Sequence, residues 1–163
     1  MDGRFFTPAI APDVVGQTFT SDWVMVDQRR IGVFGANTED PDPHHVDPAF
    51  CARHSPWGKP ISFGFLTISL LTPMIYQVYR YALDGDPKDG YPASYGFNRL
   101  RLVAPVVVDS RIRGHFTVIG VRDRKPGQRL ITVALSVEIE RESRPALTGE
   151  WEMLWITPTA DNA

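Results

Sequence analysis

The sequence has little cysteine and no excess of charge of one sign. Cys51 is the only cysteine among 163 residues, so no disulfide can form within the chain, as is typical of proteins in the reducing cytoplasm. The formal net charge is only −2, which provides no basic field to hold nucleic acid. No basic segment precedes an apolar run at the N-terminus, so we predict no signal peptide. These absences favour a cytoplasmic protein that binds no nucleic acid.

Long charge-free runs are also scarce, and only Ile61–Tyr79 approaches the length of a bilayer span. Seven of its 19 residues are polar, glycine or proline, and no basic cluster flanks it as a membrane orientation would favour. We therefore expect no association with a membrane. The segment predicts a helix buried inside the protein, which runs from Gly64 to about Leu83 and bends at Pro73.

The remaining composition is ordinary, with 43% apolar and 22% charged residues, and it predicts one domain over residues 1–163. Its first 14 residues are expected to be irregular. Strict alternation over Leu130–Arg141 predicts a strand with one apolar face. Further strands are predicted at residues 17–26, 99–103, 114–124 and 147–156, and helices at residues 28–36, capped by Asp27, and through Arg53, capped by Asp47.

This order of elements predicts an α+β fold in which an antiparallel sheet is wrapped around a long central helix. A wrapped sheet of this size has an unpaired edge strand, and an exposed edge is a template for pairing with another chain. The pattern therefore favours a homodimer.

The most unusual stretch is EDPDPHHVD, residues 39–47, where four carboxylates and two histidines surround prolines that prevent a continuous helix. Three interpretations are open. Asp40 and His45 are five residues apart across a proline-stiffened bridge, and such a pair can hold one water for acid–base catalysis. A zinc or iron site is the second interpretation, although no spaced ligand set such as HExxH is present. A solvated acidic loop that caps the following turn is the third.

The predicted central helix begins at Gly64, within the segment ISFGFLTISLL. The N-terminus of a helix presents unpaired backbone N–H groups and a partial positive charge. Because glycine has no side chain, a ligand can approach the backbone closely at this position. This geometry suits a developing oxyanion, such as the oxygen of a thioester attacked at its β-carbon. Close packing of the helix against the sheet is the alternative reason for Gly64.

Taken together, these residues resemble a known family. The stretch FGANTEDPDPHHVDPAFCARHSPWGKPISFGFLTISLL, residues 34–71, is similar to the signature of the MaoC-like, (R)-specific enoyl-CoA hydratases. That signature has an aspartate, four residues and a histidine followed by V-D-P, and later a P-I-x-H-G segment. Residues 95–114, YGFNRLRLVAPVVVDSRIRG, resemble the Y-G-x-N strand pair of the family. The resemblance extends over residues 15–157.

The resemblance implies a hot-dog fold, usually a homodimer, and the reversible syn hydration of a trans-2-enoyl thioester to the (R)-3-hydroxyacyl thioester. The acyl group would be carried by CoA or by an acyl-carrier protein, and no cofactor or metal is expected. Asp40 and His45 would hold and activate the water. The Gly64 N–H would bind the thioester oxygen, with Ser62 and Phe63 beside the substrate.

The resemblance also suggests residues for the carrier. Asn98, Arg99 and Arg101 are candidates to bind its pantetheine or nucleotide, and Arg111 and Arg113 form a second basic pair. For each arginine alone, an exposed strand face is the simpler explanation.

Three positions depart from the family pattern. Glu39 stands where the family usually has a small residue, His44 where it has an aliphatic one, and Phe63 where it has a histidine. Phe63 replaces a polar contact near the thioester with an apolar ring, which changes the expected substrate more than the chemistry. A hot-dog thioesterase and a non-catalytic acyl-CoA-binding subunit are the alternative functions.

Overall fold

Short elements occupy the first half of the computed structural model, which describes residues 7–79 and 90–158. A 3-10 helix at Ala11–Val14 lies in the segment predicted to be irregular. The remaining elements of this half are β1 (Thr18–Thr20), β2 (Val24–Val26), α1 (Gln28–Thr38), α2 (Pro43–Val46), α3 (Pro48–His54), α4 (Gly64–Ser69) and α5 (Leu71–Val78). The helices capped by Asp27 and Asp47 confirm the predictions.

Four long strands occupy the second half: β3 (Tyr91–Leu102), β4 (Ser110–Lys125), β5 (Gln128–Ile139) and β6 (Leu147–Ile156). They join the two short strands in one antiparallel sheet of order β1–β4–β5–β6–β3, in which β2 also pairs with β4. The alternation predicted around β5 is confirmed, because every second residue from Ile131 to Ile139 is buried. β3 is longer than its predicted residues 99–103, and it forms one edge of the sheet.

The prediction of one continuous strand at residues 17–26 is wrong, because the structure divides this segment into β1 and β2. Three residues, Ser21–Trp23, lie opposite two residues of β4 between the Thr20–His115 and Val24–Ile112 pairs. The Ser21 hydroxyl accepts a hydrogen bond from the Gly114 N–H at 2.9 Å, so a side chain replaces the backbone acceptor there. The extra residue separates β1 from β2 as a bulge does.

The predicted central helix consists of two helices, and its predicted residues 80–83 lie outside the described part of the chain. The break falls at Leu70, between α4 and α5, instead of at Pro73. A proline has no N–H to donate, and its ring clashes with the carbonyl four residues earlier, which here belongs to Ser69. Pro73 therefore interrupts the helix one turn before its own position.

Helices α4 and α5 supply buried residues to a core shared with the inner faces of β4, β5 and β6. An antiparallel sheet wrapped around central helices confirms the predicted α+β, hot-dog architecture. Within residues 7–79 and 90–158, no helix is both long enough and apolar enough to cross a bilayer.

Gly114 in β4 faces Met74 of α5, and its replacement by alanine is expected to destabilise the fold. A Cβ at this position would fall on the ring of the fully buried Phe116 and lie 3.3 Å from Met74 Sδ. We expect Gly114→Ala to lower the free energy of unfolding by about 1–3 kcal/mol, measured by urea titration. Gly120→Ala on the same strand is the control, because its Cβ would be 3.8 Å from Thr132 Cβ. Equal stability of the two variants would contradict this view of the packing.

Candidate active site

The end of α1 brings Asp40 into the site. Glu39 adopts a left-handed conformation, with φ of 56°, and its N–H and that of Asp40 both donate to the Gly35 carbonyl. This turn ends the helix and redirects the chain. The Asp40 side chain is exposed, and its Oδ1 accepts a hydrogen bond of 3.1 Å from the Asp42 N–H.

Helix α2 carries His45 on a single turn that the Asp42 carboxylate caps. The Asp42 carboxylate caps the helix by accepting from the His44 N–H at 2.9 Å, and it also contacts His44 Nδ1 at 2.9 Å. The hydrogen bond from the His44 N–H is the main cause that lowers the pKa of the Asp42 carboxyl, and the hydrogen bond with the His44 ring is the second cause. Asp47 caps α3 by accepting from the Phe50 N–H at 2.9 Å. The predicted capping role of this acidic segment is therefore observed for Asp42 and Asp47.

The His45 ring is fixed at one nitrogen and along one face. Its Nδ1 lies 2.7 Å from the Ile61 carbonyl oxygen. Because a carbonyl only accepts hydrogen bonds, Nδ1 carries the hydrogen, and Nε2 of the neutral ring is left as an acceptor. The Phe63 ring stacks on the imidazole, with 3.9 Å between centroids and 34° between planes. The geometry thus selects one tautomer and one ring orientation.

Phe63 packs on His45 and also lies near Gly35, beside the backbone of the Asp40 turn. A Cβ on Gly35 would be 3.0 Å from Phe63 Cζ and 3.1 Å from the Asp40 carbonyl oxygen. The edge of the Phe63 ring therefore lies beside the Asp40 turn, while a face of the same ring covers His45. The pairing of the Asp40 carboxylate with the His45 ring stays a prediction, and the sequence gave no indication that the Phe63 ring packs on His45.

The N-terminus of α4 follows directly after Phe63. The buried Ser62 donates from its N–H to the Val106 carbonyl at 2.7 Å, and the Phe63 carbonyl accepts from the Thr67 N–H at 3.1 Å. In the described part of the chain, nothing accepts a hydrogen bond from the Gly64 N–H. A Cβ on Gly64 would fall on Leu102 Cδ1, so glycine also permits close packing here.

The candidate carrier-binding residues Asn98, Arg99 and Arg101 are exposed on β3. Leu102 contacts Gly64, and since neighbouring strand residues point to opposite faces, Arg101 projects away from α4. Arg99 has a φ of 51°, and its Nη1 lies 3.8 Å from Glu150 Oε1. Both Arg99 and Asn98 are exposed. Their exposed side chains therefore face away from the core, and Arg99 is paired with Glu150.

The second basic pair belongs to an ion-pair network on the other face of the sheet. Arg111 binds Glu140, with 2.8 Å between Nε and Oε2, and Arg113 binds Glu138 with 2.7 Å between the same atoms. Both guanidinium groups also lie over the Trp23 ring. Each of these arginines is thus paired with a carboxylate and packed on a tryptophan ring within the chain.

The candidate metal ligands are largely occupied by other contacts. Asp42 and Asp47 cap helices, and His45 Nδ1 faces a carbonyl. In residues 7–79 and 90–158, no three or more histidine, cysteine or acidic side chains form a group that could hold a metal ion.

Sequence reasoning missed two residues that shape the site. Gln28 was expected only to begin α1, yet its Nε2 donates to the His45 carbonyl at 2.9 Å. Gly35 was not singled out, although it makes room for Phe63 and the Asp40 turn. The available signal for Gly35 was its position inside a predicted helix. Glycine lowers the stability of a helix, so its presence there indicates a packing or functional reason.

Comparisons with known proteins identify the family and the fold. The model of the MaoC like domain matches residues 11–140. Nodulation protein N of Rhizobium meliloti is 38% identical over 142 residues, which cover 85% of this chain and 84% of that protein. The 3-hydroxyacyl-thioester dehydratase Z of Mycobacterium tuberculosis is 37% identical over 142 residues, which cover 87% and 88%. The solved structure of the (R)-hydratase from A. caviae involved in PHA biosynthesis superposes with a TM-score of 0.67 and 26% identity, over 88% of this chain and 96% of that one.

Proposed function

Because the chain belongs to the MaoC-like dehydratase family and is a hydro-lyase of that type, we propose that it hydrates a trans-2-enoyl thioester reversibly to the (R)-3-hydroxyacyl thioester. One observation carries the proposal. The hydrogen bond from His45 Nδ1 to the Ile61 carbonyl leaves Nε2 as an acceptor. The same imidazole ring is packed against Phe63, the residue that precedes the Gly64 amide.

A single water is held between Asp40 and His45. The Asp40 carboxylate accepts one of its hydrogens and His45 Nε2 accepts the other, which leaves an oxygen lone pair for the substrate. As the oxygen attacks C3, Asp40 takes the proton from the water, and a new C3–O bond forms while the C2–C3 double bond becomes single. The pair then returns one proton to C2, with His45 assisting, so that one water has been added and both groups end as they began.

The negative charge that develops on the thioester oxygen lies at the Gly64 N–H. This amide is in the first turn of α4, where backbone donors have no acceptor within the helix. A donor already oriented toward the oxyanion stabilises the transition state without reorganisation. Ser62 and Phe63 border the thioester, and the acyl chain extends along the central helices.

A panel of trans-2-enoyl-CoA substrates of increasing chain length tests this function. We expect the enoyl absorbance to fall without release of free CoA, and chiral analysis to identify the (R)-3-hydroxyacyl product. Release of the thiol instead would identify a thioesterase. Acyl-CoA binding with no turnover across the panel would identify a non-catalytic acyl-binding subunit.

We further propose a homodimer in which the second copy covers β3 and the start of α4. β3 is an edge strand of 12 residues, and the large side chains exposed on it include Tyr91, Tyr95 and Leu102. Phe65, beside Gly64, is 76% exposed. An exposed edge with apolar neighbours requires a cover in a stable protein. In such a dimer, Asn98, Arg99 and Arg101 are candidates to bind the pantetheine or nucleotide of the carrier.

Sedimentation analysis of a charged substitution at this surface tests the dimer. We expect the wild-type chain to sediment as a dimer and Phe65→Glu to shift it toward the monomer, because burying an unpaired carboxylate opposes association. Ile119→Glu is the matched control, since Ile119 is also an exposed apolar residue but lies on β4. A monomeric wild-type chain, or equal dissociation by both variants, would contradict the proposed interface.

A further inference from the structure

Gln28 anchors the backbone of His45 across 17 residues of sequence. It is the first residue of α1, its side chain is half-buried, and its Nε2 donates to the His45 carbonyl at 2.9 Å. The carbonyl can only accept, so the amide nitrogen faces His45 and the amide oxygen faces away. That Oε1 atom is buried and has no hydrogen-bond partner in the described part of the chain.

The His45 carbonyl needs a donor from elsewhere because α2 is too short to supply one. In a continuing helix, the N–H four residues later would donate to it, but Asp47 is extended, with φ of −117°, and ends the helix. Pro48 has no N–H for the carbonyl of His44, which instead accepts from the Ile61 N–H at 3.1 Å. The carbonyls of His44 and His45 are thus both satisfied by residues outside this turn.

The orientation of the His45 ring depends on two anchors that join different elements. The ring anchor is the Ile61 carbonyl, and the backbone anchor is the Gln28 amide. If the backbone anchor is lost, the one-turn helix can shift, and the bond from Nδ1 to Ile61 must lengthen or break. Nε2 would then no longer be held as the acceptor that faces the water.

We infer that Gln28 is a positioning residue for the hydration, which fixes the tautomer and direction of His45 from behind the site. This inference rests on the proposed function for its effect on turnover, but not for its effect on the His45 ring. Within the described residues, Nε2 makes the one hydrogen bond of the Gln28 side chain, so the link to the His45 carbonyl is the contact that Gln28 contributes here.

Gln28→Met tests the inference, because it keeps the length of the side chain but removes the donor together with the unpartnered acceptor. We expect kcat for an enoyl-CoA to fall at least about tenfold, since small displacements of catalytic groups are costly, with KM and the melting temperature nearly unchanged. Nitrogen NMR of the imidazole, assigned with His45→Ala, should show one tautomer in the wild-type protein and a mixture in the variant. Gln17→Met is the control, because it makes the same substitution at an exposed glutamine.

The outcomes separate this inference from the proposed function. A fall in kcat together with mixed His45 tautomers supports the positioning role, and Gln28→Asn, whose amide is too short to reach, should reproduce it if Gln28→Met does not fold. Unchanged His45 signals, or a loss of activity that merely follows a loss of folded protein, would overturn it. If the wild-type chain turns over no enoyl-CoA while Gln28→Met still alters the His45 signals, the proposed function fails and the positioning role stands.

Discussion

Replacement of Asp40 by asparagine is expected to lower kcat for the hydration of crotonyl-CoA, or of a longer enoyl-CoA, at least about 100-fold. The amide has nearly the shape of the carboxylate and keeps an oxygen that can accept the hydrogen bond from the Asp42 N–H, so the turn after α1 should persist. It cannot take a proton from water at neutral pH. The loss should therefore appear in kcat, while the circular dichroism spectrum and the melting temperature remain those of the wild-type protein.

Glu39→Gln is the matched control for Asp40→Asn. It neutralises the neighbouring carboxylate on the same exposed turn, and the Glu39 contact that shapes the turn is made by its backbone N–H. We expect its kcat to remain within a few fold of the wild-type value. Comparable turnover by Asp40→Asn and the wild-type protein would end the assignment of Asp40 as the base.

Replacement of His45 by alanine is expected to lower kcat by at least about 100-fold as well. The variant loses Nε2, the proposed acceptor for the attacking water, and it also leaves the Ile61 carbonyl and the Phe63 ring without their partner. Some loss of stability is therefore expected, and kcat must be normalised to the concentration of folded enzyme. Free imidazole added to the assay should restore part of the rate, because it can occupy the space that the ring has left.

His44→Ala determines which of the two adjacent histidines acts on the water. The His44 ring contacts the Asp42 carboxylate and packs edge-on against Phe50, with 5.2 Å between centroids, so its role is to support α2. We expect this variant to retain most of its activity per folded molecule. A greater loss for His44→Ala than for His45→Ala would reverse the assignment.

The local sequence was sufficient to predict features that depend on neighbouring residues, such as the cap of α3 by Asp47. The cap at Asp27 was predicted for the same reason, since capping involves residues only three apart. Asp40, His45 and Gly64 were identified by spacing, by helix-breaking prolines and by family resemblance, and their shared catalytic role stays a prediction.

Contacts between residues distant in the sequence could not be predicted in this way. Nothing near Gln28 indicates that its amide meets a carbonyl 17 residues later, and nothing near Phe63 indicates that its ring stacks on His45. The bulge between β1 and β2 depends on the register with β4, which the segment itself does not encode. These features follow from tertiary packing, which local patterns do not specify.

The position at which oxygen from water enters the product tests the central claim most directly. If Asp40 and His45 direct a water to C3, turnover of an enoyl-CoA in water enriched in oxygen-18 will place the label in the C3 hydroxyl of an (R)-3-hydroxyacyl-CoA, with the thioester intact. Label in a free carboxylate, accompanied by released CoA, would show that water attacks the carbonyl instead and would contradict the account.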